Sequence, residues 1–362
     1  MPEIFNLPTK EQFDKMNDHL SKIAYARDVV DHSVAPGKKE LEIGDTNAGF
    51  FGFVKAVDLI TGDNLALALG LSSGTSQNSD TPWIKYIWNG KVCFTPLKTI
   101  RHSVTWDAIY NAGAVYGSGG KGTLPPEGRL GTELTIDALD NSINTTGHFL
   151  GDKTSATGYY DTVGAIGDII TLEGWSDGAN NGDFTIDSVT DTKIIVTGGV
   201  LVTEVGSRTK KLYPKANVVT QNAKVTIGGL EYTVRLFKGA ANDPQNSYAD
   251  ADRGSIGDDN EWNGIMLPLH ERAKTQEWNY PAYAGTTPYW GVNLTDEDLR
   301  THYTFGSGSY TWCQEVRDDN ETFRRVFRGY TGASNLLANY SWSVGSGYGF
   351  RPVLELPQTA TL

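Results

Sequence analysis

Glycine interrupts this chain so often, 41 times in 362 residues, that after residue 32 few apolar-periodic segments run far before a turn. Glycine takes positive φ at no steric cost, so this spacing favours short strands joined by tight turns over a helical bundle. Phe50 to Leu59, Leu65 to Leu71, Ile84 to Trp88 and Lys91 to Thr95 read as strands. Asn89-Gly90 between the last two is a strong two-residue hairpin signal. Lys224 to Ile227 and Glu231 to Phe237, joined through Gly228-Gly229, read as a second hairpin, and Gly349 to Leu356 as a closing strand with an alternating buried face. The expected fold is α+β, mainly β.

Helical spacing is confined to a few places. Trp106, Ile109 and Tyr110 place a short helix within Thr105 to Val115 that ends near Gly113. Trp262 to Ala273 and Thr295 to His302 are further candidates, the latter with an acidic first turn at Asp296, Glu297 and Asp298. Residues 118–160 are rich in Gly, Thr, Ser, Asn and Asp and read as long surface loops. A compact β pattern follows at Ile169 to Leu172, Phe184 to Val189 and Lys193 to Thr197. It reads as a small unit over 163–208 inserted at a loop tip, where lengthening costs little closure entropy.

The first 32 residues differ from the rest. Thr9 and Gln12 have capping-box spacing, and Phe13, Met16, Leu20, Ile23 and Val30 form a stripe, which predicts a helix from about 9 to 31. A lone helix of this length needs packing. Its stripe must therefore lie on its own body, on sister chains, where Arg27 would interrupt a coiled-coil seam, or on a larger assembly. Four regions result: 1–44, 45–162, 163–208 and 209–362.

Charge and composition exclude several functions. With 31 Lys and Arg against 43 Asp and Glu, the net charge of −12 repels a phosphate backbone, so nucleic acid is not the expected partner. No apolar run approaches the roughly 20 residues of a membrane helix. The N-terminus lacks a secretory pattern. Cys93 and Cys313 are expected to be free core thiols, with a disulfide as the alternative. Asp250 to Gly254, with Asp258, Asp259 and Glu261, has the oxygen density of a calcium loop without the regular EF-hand spacing. A solvated acidic loop is the expectation there and calcium the alternative; no other cofactor is implied. The six histidines show no zinc spacing, and no Ser or Cys has a base that sequence can assign.

Four segments carry a resemblance: VTIGGLEYTVRLF from Val225 to Phe237, EWN from Glu261 to Asn263, YTWCQE from Tyr310 to Glu315, and GFRPVLE from Gly349 to Glu355. In that order they resemble the C-type-lectin-like domains of phage and prophage surface proteins, including tail-fibre tips and the variable proteins diversified by retroelements. WIKYIWNGK and SVTWDAIYNAGAVYG, between Trp83 and Gly117, look like the first part of the same type, and 163–208 is similar to small immunoglobulin-like modules of phage tails. The resemblance implies a lectin-like body from about 45 to 362 with that insert, a homotrimer, and a virion location on tail or capsid. It implies attachment to a host cell-surface protein or glycan, with 1–44 docking on other virion proteins. The binding face it implies is Tyr330, Asn335, Asn339, Tyr340, Trp342, Ser343, Ser346 and Tyr348, a mixture of rigid aromatics and small hydrogen-bonding residues suited to recognition. The other reading of this stretch is a glycine-rich core loop. The lectin-like fold is also similar to that of formylglycine-generating enzymes, but those need a placed cysteine pair, and these two cysteines are 220 positions apart (313 − 93). A non-enzymatic chain is expected. The alternative to a receptor binder is a structural virion component such as a capsid decoration, head fibre or baseplate subunit.

Overall fold

In the computed structural model, residues 9–10, 34–147, 149, 163–246, 260–279, 286–318 and 324–357 are described. The N-terminal helix expected over 9–31, apart from residues 9–10, and the acidic loop at 250–259 lie outside them. The described residues are mainly β, in three sheets.

The first sheet is antiparallel throughout, in the order Ile43–Gly44, Ala48–Val54, Trp83–Trp88, Lys91–Pro96, Val353–Glu355, Leu230–Arg235, Lys224–Ile227. Asn89 and Gly90 both take positive φ, 46° and 76°, as a hairpin whose turn twists with its strands requires. Both faces of this sheet are covered. Trp83, Ile87 and Phe94 enter one hydrophobic cluster with the short helix Trp106–Asn111. Ile84, Tyr86 and Trp88 enter a second, with the helix Glu261–Leu269. Double coverage explains why Trp83–Trp88 is buried at every position and shows no polar alternation.

The second sheet runs Glu204–Val205, Leu134–Asp137, Ser142–Thr145, Lys193–Thr197, Gly182–Val189, Ile169–Glu173, Lys211–Pro214, Arg129–Leu130. It has its own core, including Ile136, Ile143, Ile170, Phe184, Ile194 and Leu212. This unit is larger than the expected 163–208. Residues 129–145, expected as loop, supply three of its strands, because segments of two to four polar-rich residues pair when a neighbour offers a ladder.

The third sheet is mixed, in the order Leu336–Tyr340, Arg324–Arg328, Tyr310–Asp318, Tyr348–Phe350, Arg101–His102, Thr75–Ser76. It also feeds both clusters: Trp312 and Phe327 join the first, Cys313, Val326 and Leu336 the second.

Several expected elements differ. Leu65 to Leu71 is not a strand: the helix Gly62–Ala68 occupies it, started by Thr61, whose hydroxyl accepts from Asn64 N at 3.3 Å. The Phe50 to Leu59 strand stops at Val54, and a 3-10 turn takes Ala56–Asp58. The helix expected over 262–273 covers Glu261–Leu269, with Pro268 in its last turn, and a 3-10 turn at Glu271–Ala273 follows. Thr295 caps only Asp296–Leu299, since Arg300 turns left-handed at φ 54°. Cys93 and Cys313 are both buried free thiols. Among the described residues no helix is long and apolar enough to cross a membrane.

One buried network joins helix, hairpin and closing strand. Arg235 donates to both Glu261 carboxylate oxygens, at 2.7 and 2.8 Å, and to Glu355 at 2.8 Å. Tyr86 donates to Glu261 at 2.9 Å, and Lys91 reaches Glu355 at 2.5 Å. Glu261, a candidate calcium ligand by sequence, is therefore spent on an internal ion pair. Its position at the first turn of the helix, facing the sheet, is what commits it.

Candidate binding face

The C-terminal part of the third sheet sorts the expected face into three groups. Tyr330 and Ser346 are exposed, and Tyr340, Trp342 and Ser343 are half-buried. Tyr340 and Trp342 stack in parallel at 5.0 Å, with the Arg324 guanidinium 4.7 Å above the Tyr340 ring. Such a stack holds both rings rigid at little further entropic cost on binding. Ser343 N closes this turn on Tyr340 O at 3.0 Å, and Ser346 O receives Gly308 N at 2.8 Å, tying the 343–347 loop to the next strand.

Asn339 and Tyr348 form a second group. Tyr348 stacks on Trp312 at 4.7 Å and meets Tyr310 and Phe327 edge-on, while Asn339 donates to its hydroxyl. It is therefore the floor of the face rather than its surface. Burial pushes the Tyr348 and Tyr310 phenols up, so both stay neutral at physiological pH.

Asn335 stands apart and is a correction. Only 1% exposed, it closes an inward turn: its backbone donates to Gly332 O and accepts from Gly329 N. It cannot touch a ligand on the surface formed by Tyr330.

The structure adds residues that sequence reasoning missed. His302 bridges Thr331, and Tyr303 N donates to Tyr330 O at 2.9 Å, so a 3-10 turn, Tyr303–Phe305, lies beside Tyr330. Rings then follow one another from the surface inward: His302 on Tyr303 at 4.5 Å, Tyr303 to Tyr330 at 5.7 Å, Tyr330 to Tyr310 at 5.0 Å. Tyr303 is 52% exposed and Tyr330 37%. The density of aromatic residues in His302-Tyr303-Thr304-Phe305 was the one available signal.

Backbone geometry fixes this ladder through Gly329, at φ 92°, where an added Cβ would sit 2.6 Å from Ser309 O and 3.2 Å from Thr301. Gly329→Ala is expected to cost about 1–3 kcal/mol of stability, because both the conformation and the space are denied. A urea titration checks it; unchanged stability would mean that the loop can relax.

The surface so formed combines rigid rings, hydroxyls and one guanidinium, which suits non-covalent recognition. No family model, curated protein or solved structure matches the chain.

Proposed function

We propose that the chain is a host-attachment protein of a bacteriophage particle, and that the aromatic ladder running from His302 and Tyr303 through Tyr330 contacts a cell-surface protein or glycan. The observation that carries this reading is the ladder itself: exposed rings at one end, locked by successive ring contacts to a buried floor at the other. Rigid anchors of this kind lose little freedom on binding. The motif order from Val225 to Glu355 supports a C-type-lectin-like body. The separate core of the 129–214 sheet supports an inserted module, which we take as immunoglobulin-like. Display of many copies, as homotrimers docked through residues 1–44, would raise weak single contacts by about 10²–10⁴ through avidity.

Adsorption competition tests this. Purified protein, presented as a multivalent array, is expected to block attachment of the particle to host cells. Tyr303→Ala and Tyr330→Ala should each weaken the block about 10–30-fold, the usual loss for an aromatic anchor of about 1.4–2 kcal/mol. If the variants compete as well as the wild type, the contact surface lies elsewhere. If the wild type does not compete yet is incorporated into particles, the chain is a structural virion component.

A further inference from the structure

Two core arginines form no ion pair among the described residues. Arg328 and Arg351 are both 0% exposed. Arg328 donates to Asn263 Oδ1 and to Ser334 O, the latter at 3.0 Å. Arg351 donates to Leu299 O and lies 5.6 Å from the Trp262 ring centroid. Arg129, Arg235 and Arg272, by contrast, each face a carboxylate within 4.0 Å. Among the described residues, Arg328 Nε, Arg351 Nε and Nη1, and the fully buried Thr311 Oγ1 have no hydrogen-bond partner.

Strand register brings these groups into one layer. Thr311 pairs with Arg328 on one side and with Gly349, two residues before Arg351, on the other. Cys313, two residues along the same strand, lies within electrostatic reach of both guanidiniums. Burial pushes the two arginines down to about 10 and about 9, which leaves both protonated at neutral pH. Glu315 acts on Arg328, but burial and Asp243 push it up to about 8, so over most of the physiological range it is uncharged. The layer therefore holds positive charge away from water, which is costly without a partner. An ordered water would occupy the free donors but would leave the charge uncompensated.

We propose that Arg328, Arg351 and Thr311 enclose a binding site for a small monovalent anion of the chloride type. The donor set favours a spherical anion. Arg328 already spends donors of both terminal nitrogens, on Asn263 and Ser334, and Arg351 spends one of its N–H groups, on Leu299. What remains is the Arg328 Nε, the Thr311 hydroxyl and the free side of Arg351, dispersed donors and two charges that suit a small anion.

The test is thermal unfolding of the full chain at constant ionic strength, with sodium chloride replaced stepwise by sodium gluconate, whose anion is too large for the site. The midpoint is expected to rise with chloride along a saturating curve, by about 3–6 °C at the plateau, and bromide should act in the same way. Thr311→Val, which keeps both charges and the shape, should shift that curve to higher chloride. Arg351→Met should abolish it. Crystals grown in bromide should show an anomalous peak between Arg328 and Arg351. Equal midpoints in chloride and gluconate, or a chloride response that Thr311→Val leaves unchanged in a folded protein, would overturn the proposal, as would bromide located only elsewhere.

Discussion

Glu261→Ala is expected to lower the free energy of unfolding by about 3–5 kcal/mol, because it removes one partner of a buried ion pair and leaves the other charged. Arg235 would keep Glu355 at 2.8 Å, Leu236 O at 3.1 Å and Cys93 Sγ at 3.7 Å but lose both bonds to the Glu261 carboxylate, and the Tyr86 hydroxyl would lose its acceptor. The loss should appear as a lower urea midpoint with unchanged slope. Replacing both partners, Arg235→Met with Glu261→Met, should cost less than Glu261→Ala alone, since the cost of burial is then removed together with the attraction. A single-variant loss below about 1 kcal/mol would show that the pair contributes little, as exposed pairs do.

Stability should fall as pH rises from about 5 to 8, and Glu315 should account for most of the fall. Burial, reinforced by Asp243, pushes its carboxyl up to about 8, while the unfolded chain releases the same proton near 4.5. Between those values the folded state binds more protons than the unfolded one, so each rise in pH favours unfolding. A gap of this width corresponds to several kcal/mol, on the order of 4, across the window. Asp243, also raised by burial, acts in the same direction. Glu315→Gln should flatten most of the pH dependence and make the protein more stable than wild type at pH 8. Unfolding free energies at half-unit steps of pH check this, and a wild-type profile flat from 5 to 8 would mean that Glu315 is ionised in the folded state.

The hairpins at Asn89-Gly90 and Gly228-Gly229 were legible, because turn chemistry is local. The closing strand expected over Gly349 to Leu356 is instead split at Arg351-Pro352 into Tyr348–Phe350 of the third sheet and Val353–Glu355 of the first. The helix at Gly62–Ala68 was not legible. In Leu65-Ala66-Leu67-Ala68-Leu69 the leucines alternate as in a strand, yet Leu65 is 0% exposed and Leu67 81%. The deciding signal was the cap at Thr61, outside the apolar run. The strands of 129–145 were illegible for another reason: some of their partners lie more than about eighty residues away, as Leu212 is from Arg129. The binding face divides in the same way. Tyr330, Tyr340 and Trp342 could be read from composition, but Asn335 looks the same in sequence whether its turn faces in or out. His302 and Tyr303 join Tyr330 only through a bridge between distant segments.

The place of Val353–Glu355 has a consequence for synthesis on the ribosome. This strand lies in the middle of the first sheet, between Lys91–Pro96 and Leu230–Arg235, although it is translated after both. Until it emerges, the nascent chain carries two unpaired, apolar strand edges facing each other across an empty lane. Such edges recruit other strands. Termination before residue 353 would thus yield sticky fragments rather than a shortened working protein.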